Sequence, residues 1–252
     1  MHRPARSVLA ITAAIASSLA TLLPWPVQAA PPPAFGPERT ADRWAERAAV
    51  DPPASVAEQR LEMPVFRLVV PFRTQKDGSR WQTSNCGPAT LGMLLDGFGI
   101  GDQPTDDLRT QAHIYQGTLG MRTGTGLDHV AHVGEDLGVK AHGLYTSEGS
   151  FRTWAIGDVV AELRQGRPVM PLVRLYLVPG YEGLAPRWGH YILLTGIGPE
   201  GFYFSDSLKT DPAAGTSGVI SERQLTSAMA ASHIPGQAVA FSGPKPLPVW
   251  TP

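Results

Sequence analysis

Three residues of this chain, Cys86, His190 and Asp206, have the types and spacing that nucleophilic thiol chemistry requires. Cys86 is the single cysteine and stands in SNCGPATLGMLL, where a glycine and a proline lead into an apolar helical pattern. A thiol attacks as the thiolate, and free cysteine titrates near ~8.5, so a nucleophilic cysteine needs surroundings that favour the anion. A helix N-terminus provides them through unpaired N–H groups and the positive end of the dipole. Pro88 suits the first helical turn, where its missing N–H is no loss, and Gly87 admits close approach of a substrate backbone. The same N–H groups can hold an oxyanion.

An unpaired cysteine also fits a small buried hydrophobe. The downstream run RWGHYILLTGIGPEGFYFSDSL separates the two readings. In it His190 precedes an apolar strand pattern, a glycine turn and a second strand that ends at Asp206. If the strands pair as a hairpin, His190 and Asp206 become neighbours, and a carboxylate lies beside an imidazole. An imidazole so oriented can take the thiol proton and return it to a leaving amine. His190 alone fits a core histidine and Asp206 a turn residue, but together with Cys86 they describe a nucleophile, a base and its orienter.

These side chains need a frame to hold them. Val65 to Val70 reads as a short strand, and Pro88 to Phe98 as a helix with a broad apolar face closed by Gly97 and Gly99. Further helices are expected from Thr105 and from Thr125, where Thr125 and Asp128 have capping-box-like spacing, and from Ile156 to Gln165. The period then changes. Pro168 to Val178, Trp188 to Ile197, Gly201 to Ser205 and Gln237 to Phe241 read as strands, with a capping box at Ser221 and Gln224 opening one more helix. Helices first and strands later indicate an α+β domain whose two halves face one another.

At this point the residues resemble a known family. NCGPATLGMLL, GRPVMPLV, GHYILLTGIG and GFYFSDS are similar to the papain-like cysteine peptidases of family thirty-nine, in particular a secreted branch related to bacteriocin-processing leader peptidases. The resemblance spans most of Val65 to Phe241. It implies a papain-like α+β fold, in which an N-terminal helical half with the nucleophile at a helix N-terminus packs on an antiparallel sheet. It also implies Cys86 as nucleophile, His190 as base and acid, and Asp206 as orienter. Two departures stand out. The family's aspartate is commonly followed by proline, whereas Asp206 precedes Ser207 and the Asp-Pro pair is Asp211-Pro212, which makes Asp211 the reserve orienter. The family's oxyanion glutamine lies several residues before the cysteine; Gln75 in PFRTQKDG is the favoured candidate here and Gln82 the reserve.

The ends of the chain read differently. His2, Arg3 and Arg6, an apolar run from Val8 to Leu23, and the small residues before Ala30 are the three parts of a secretory signal, with cleavage expected after Ala29. The run falls short of the roughly 20 residues that span a bilayer, so no stable membrane insertion is expected after cleavage. Residues 30–61 form a Pro/Ala-rich tether or surface wrap, residues 62–243 the peptidase domain, and PKPLPVWTP from Pro244 a proline-rich tail outside any sheet. The chain carries 21 basic and 22 acidic residues, and losing Arg3 and Arg6 with the signal leaves a net charge of about −3, which gives nucleic acid no basic surface.

Other patterns point elsewhere only weakly. Asp128, His129, His132, Glu135 and His142 lack an H-E-x-x-H arrangement, so no metal is expected; Gly124-Thr125-Gly126 lacks the third glycine of a dinucleotide loop. Pro244 spoils the S-x-x-K match at Ser242. Trp188 and Tyr203 could line a cleft or belong to the core. The expectation is a secreted, cofactor-free thiol hydrolase acting on a peptide or protein substrate, with nothing to set its oligomeric state. The alternatives are a non-catalytic peptide-binding relative and a cell-wall amidase or acyl transferase, since amine and water compete for one acyl-enzyme.

Overall fold

The computed structural model describes residues 65–101, 103–117, 124–185 and 188–252. The expected signal segment and the stretch 30–61 lie outside these residues.

The first half is helical. After β1 (Phe66–Leu68) come α1 (Cys86–Gly97), α2 (Thr105–Gln116) and α3 (Leu127–Asp136), each packed on the other two. Ala89, Leu91, Met93, Leu94 and Leu95 of α1 are all buried, as in an interior helix that is apolar around its circumference. Each buried Leu or Met side chain contributes roughly 1.5–3 kcal/mol. α2 is amphipathic instead: Leu108 and Ala112 are buried, Ile114 and Tyr115 exposed, and Gly117 at φ +67° ends it in the left-handed conformation.

The second half supplies the sheet. In order follow β2 (Lys140–His142), α4 (Ile156–Arg164), β3 (Val169–Arg174), a 3-10 turn (Leu175–Leu177), β4 (Gly189–Tyr191), β5 (Leu193–Gly198) and β6 (Gly201–Ser205). The chain ends with α5 (Pro212–Thr216), β7 (Gly218–Ile220), α6 (Glu222–Ala230), β8 (Ala238–Ser242) and β9 (Val249–Trp250). The nine strands are ordered β2-β8-β3-β5-β1-β9, with β4 paired to β3, β6 to β5 and β7 to β6. Neighbours run antiparallel. β3 and β5 are buried along nearly their whole length, which is why VMPLVR and LLTGIG read as continuous apolar runs without alternation. Pro171 stands where β3 passes from pairing β5 at Val169 to pairing β4 from Leu172 onward. Its missing donor therefore falls at a change of partner.

Four expectations need correction. α1 starts at Cys86 itself, two residues earlier than Pro88. The segment from Trp188 to Ile197 is two strands: Ile192 separates β4, where His190 pairs with Val173, from β5, where Leu193 pairs with Ser205. Thr125 caps no helix; Gly126 holds the N-cap position of α3 without a side-chain bond. The proline-rich tail joins the sheet, because Trp250 and Val249 pair with Arg67 and Leu68, and the Val69 N–H donates to Pro248 O at 2.7 Å. Proline lacks a donor but still accepts, and an edge strand makes no further demand of it. The capping box at Ser221 and Gln224 forms as expected, with Gln224 N–H donating to Ser221 Oγ and the Ser221 N–H to Gln224 Oε1.

Candidate active site

Cys86 opens α1, and the loop before it is pinned by α2. Asn85 is fully buried, and its backbone oxygen accepts the first helical bond from the Ala89 N–H at 2.9 Å. Its side chain does not turn to the helix. It donates to Asp106 Oδ1 at 2.9 Å and accepts from Arg109 Nη1 at 3.1 Å. Arg109 also donates to Ser84 O at 3.2 Å and stacks its guanidinium over the Trp81 ring at 4.7 Å. With no side-chain cap on α1, the Gly87 N–H remains available and bonds the Cys86 sulfur, as does the Tyr191 N–H from β4.

His190 sits on β4, and Asp206 follows β6. The β5–β6 hairpin, closed by Gly198 opposite Gly201, returns the chain so that Ser205 faces Leu193 and Asp206 lies beside the start of the hairpin. There His190 Nε2 is 2.8 Å from Asp206 Oδ1, and both side chains are 2–3% exposed. Asp206 also accepts the Leu208 N–H at 2.9 Å and the Tyr181 hydroxyl at 2.5 Å. Since Nε2 faces the carboxylate, Nδ1 is the nitrogen left for the thiol, and the His190 side chain hydrogen-bonds Cys86.

The charges follow from this arrangement. Burial works to raise the Cys86 thiol, but the His190 hydrogen bond and charge, with the Tyr191 and Gly87 N–H groups, bring it below its ordinary value. Burial likewise disfavours the imidazolium, yet Asp206 and then Cys86 outweigh it and raise His190 to about 10. Asp206 is held below the usual carboxylate range: burial pushes it up, and His190, Tyr181 and the Leu208 N–H more than offset this. Tyr181, itself pushed up by burial and by Asp206, stays protonated and donates. A buried thiolate and imidazolium are mutually stabilising, and either charge alone would not be.

Gln75 is 1% exposed and is held at both ends of its amide. Its Nε2 donates to Gln82 O at 2.9 Å and its Oε1 accepts from Ser207 Oγ at 3.0 Å, while its backbone N–H donates to Ser207 O at 2.8 Å. It thereby joins the loop that leads into Cys86 to the residue after Asp206, and one Nε2 hydrogen is left over. Gln82 takes part through its backbone carbonyl. Asp211 is exposed and caps α5, accepting from the Ala214 N–H at 3.0 Å.

The aromatic candidates divide. Trp188 is half exposed beside β4. Tyr203 lies under the Arg67 guanidinium at 5.6 Å and lines a separate cavity of about 400 Å³ with Arg67 and Trp250. Gly87 serves packing more than access: a Cβ there would stand 2.6 Å from Thr125 Oγ1, 3.1 Å from Val130 Cγ2 and 3.3 Å from Tyr191 Cδ2. Sequence reasoning missed Asn85, Asp106, Arg109 and Tyr181. Asn85 abuts the cysteine, so its neighbourhood was a usable signal; Tyr181, in the turn-like VPGYEGL, offered none.

Beside Cys86 opens a cleft of about 410 Å³, with Leu172, Tyr191 and Ile234 among its apolar walls and Thr125, Asp128 and Gln237 among its polar ones. Among the described residues no group of three or more His, Cys, Asp or Glu side chains is placed to hold a metal ion.

Three solved structures are similar to the chain. One is described as a C39-like peptidase from Bacillus anthracis, 16% identical, covering 72% of this chain and 98% of its own, with a TM-score of 0.48. A double glycine motif protease from an AMS/PCAT transporter, solved with its leader peptide, is 15% identical over 70% of this chain and 94% of its own, with a TM-score of 0.42. The peptidase domain of Streptococcus ComA is 15% identical over 69% of this chain and 98% of its own, with a TM-score of 0.41. No curated protein matches. The model of the Peptidase_C39 like family matches residues 67–222, from β1 through His190 and Asp206 to the first residue of α6; the chain belongs to this family and has its papain-like α+β fold.

Proposed function

We propose that this chain is an exported thiol hydrolase that cleaves peptide bonds through Cys86, His190 and Asp206. The observation that carries this reading is the position of His190, bonded through Nε2 to Asp206 and reaching Cys86 with its other nitrogen. Membership of a peptidase family supports amide hydrolysis as the reaction.

The chemistry runs in two halves. The Cys86 thiolate attacks the scissile carbonyl carbon, and the new oxyanion is held by the backbone N–H of Cys86 and the free Nε2 hydrogen of Gln75. The His190 imidazolium gives its proton to the leaving amine as the C–N bond breaks, leaving an acyl-enzyme thioester. His190 then takes a proton from water, whose oxygen attacks the thioester, and returns it to the departing sulfur. Asp206 keeps the imidazole oriented and balances its charge throughout. No cofactor takes part. Export rests on the N-terminal signal pattern with cleavage after Ala29.

The test is digestion of a proteome-derived peptide library by the full chain and by Cys86→Ala, read by mass spectrometry. New termini are expected only with the intact thiol. Cleavage that persists in Cys86→Ala, or its absence from both, would remove the peptidase reading.

A further inference from the structure

The cleft beside Cys86 contains hydrogen-bonding groups that the fold itself leaves unused. Gln237 is 2% exposed, and neither its Oε1 nor its Nε2 has a partner among the described residues. Thr125 is 5% exposed, and its Oγ1 likewise has none. Both line this cleft. Buried polar groups are almost always bonded, and a carboxamide idle at both ends calls for a specific explanation.

The backbone holds Gln237 in place. Its N–H donates to Ile234 O at 3.2 Å, and its carbonyl accepts from the Leu172 N–H at 2.9 Å, at the point where β8 begins to pair with β3. Of the other polar groups of the cleft, Gln116 Oε1 is engaged, accepting from the Gly126 N–H. Burial and then Arg174 push His233 down, so at neutral pH it adds no charge. An apolar guest would leave Gln237 unpaired, and an anionic guest would meet the Asp128 carboxylate in the cleft wall. A guest with one donor and one acceptor in a plane satisfies both ends.

We infer that this cleft is a recognition subsite for a planar amide of the substrate, bonded by Gln237 and Thr125. The amide belongs to an Asn or Gln side chain or to an extended stretch of substrate backbone. The inference rests on the peptidase reading and supplies its substrate specificity.

The experiment uses the full chain as Cys86→Ala, which keeps the cleft, and as Cys86→Ala with Gln237→Met or Thr125→Val. Each is equilibrated with a proteome-derived peptide library, and bound peptides are identified by mass spectrometry. Enrichment of Asn or Gln at one position, lost by at least roughly tenfold in Gln237→Met, assigns the side-chain source. A similar loss of binding with no residue preference assigns the backbone source. Unchanged binding in both cleft variants overturns the subsite.

Thermal stability provides a second reading. Gln237→Met should hold or raise Tm, because it removes an unbonded buried amide. A lowered Tm would show the amide bonded within the fold and also overturns the inference. Failure of the two readings is distinguishable. Cys86-dependent cleavage unaffected by Gln237→Met removes the subsite alone, whereas Gln237-dependent binding without cleavage removes only the peptidase activity.

Discussion

His190 Nε2 and Asp206 Oδ1 are 2.8 Å apart in a nearly dry environment, and the bond decides which face of the imidazole meets Cys86. It also sets a pH profile. With the thiol lowered from its ordinary value and His190 raised to about 10, the ion pair spans neutral pH. Alkylation of Cys86 by iodoacetamide should hold level through neutrality and fall as pH drops through the depressed thiol value. In His190→Ala the rate at pH 6 should be at least about tenfold lower and rise only toward the range of a free thiol. A wild-type rate that climbs like that of free cysteine would contradict the pairing.

Tyr181→Phe removes the hydroxyl that donates to Asp206 at 2.5 Å. The lost bond should cost about 1.5 kcal/mol, the low end for a charged acceptor, because Tyr181 is half-buried. A depressed carboxylate stabilises the fold above its unfolded pKa near ~3.9 and loses that contribution as pH falls through the folded value. Tyr181 helps hold Asp206 down, so the variant narrows the gap and should unfold at a higher pH on acid titration. Its kcat should fall several-fold with KM little changed. An acid midpoint equal to wild type would rule out the role.

Gln75 and Gln82 make opposite predictions. Gln75→Ala removes the remaining Nε2 hydrogen and the link between Gln82 O and Ser207 Oγ. Loss of an oxyanion donor typically lowers kcat by roughly 10²–10³. Gln82→Ala should stay within a few-fold of wild type, since its contribution is a backbone carbonyl. Steady-state kinetics on any cleaved peptide would decide, and equal losses would reassign the donor.

Gly87→Ala tests the contact between α1, α3 and β4. The added methyl would stand 2.6 Å from Thr125 Oγ1, so Thr125 must yield at the edge of the cleft. Overpacking of this kind costs roughly 1–3 kcal/mol. Denaturant melting should show the loss, and peptide binding should weaken with it. A variant as stable as wild type would show that α1 has room to move.

Much of this site is legible in the primary structure because its parts are local. Cys86 announces itself through Gly87 and Pro88, and the two-strand run after His190 returns the chain to Asp206. Types and spacing are less informative where a partner comes from another element. Tyr181 reaches Asp206 across the fold, and Arg109 finds Asn85 from α2. Prolines near Pro248 argue against a ladder only if donors are needed, and at an edge they are not. The Thr125 spacing suggested a cap, but Gly126 takes that position and leaves the hydroxyl facing Gly87 and the cleft.

β1 lies between β5 and β9, so the earliest strand of the described chain must wait for partners near its far end. At Gly196 the two backbones nearly touch: a Cβ there would lie 2.1 Å from Phe66 O. Such distant pairing makes folding slow, because loop entropy is lost before contacts repay it. The consequence is a period during and after synthesis in which β1 shows an uncovered edge to other chains, so production of this protein depends on how well that edge is kept from aggregating until Val249 and Trp250 arrive.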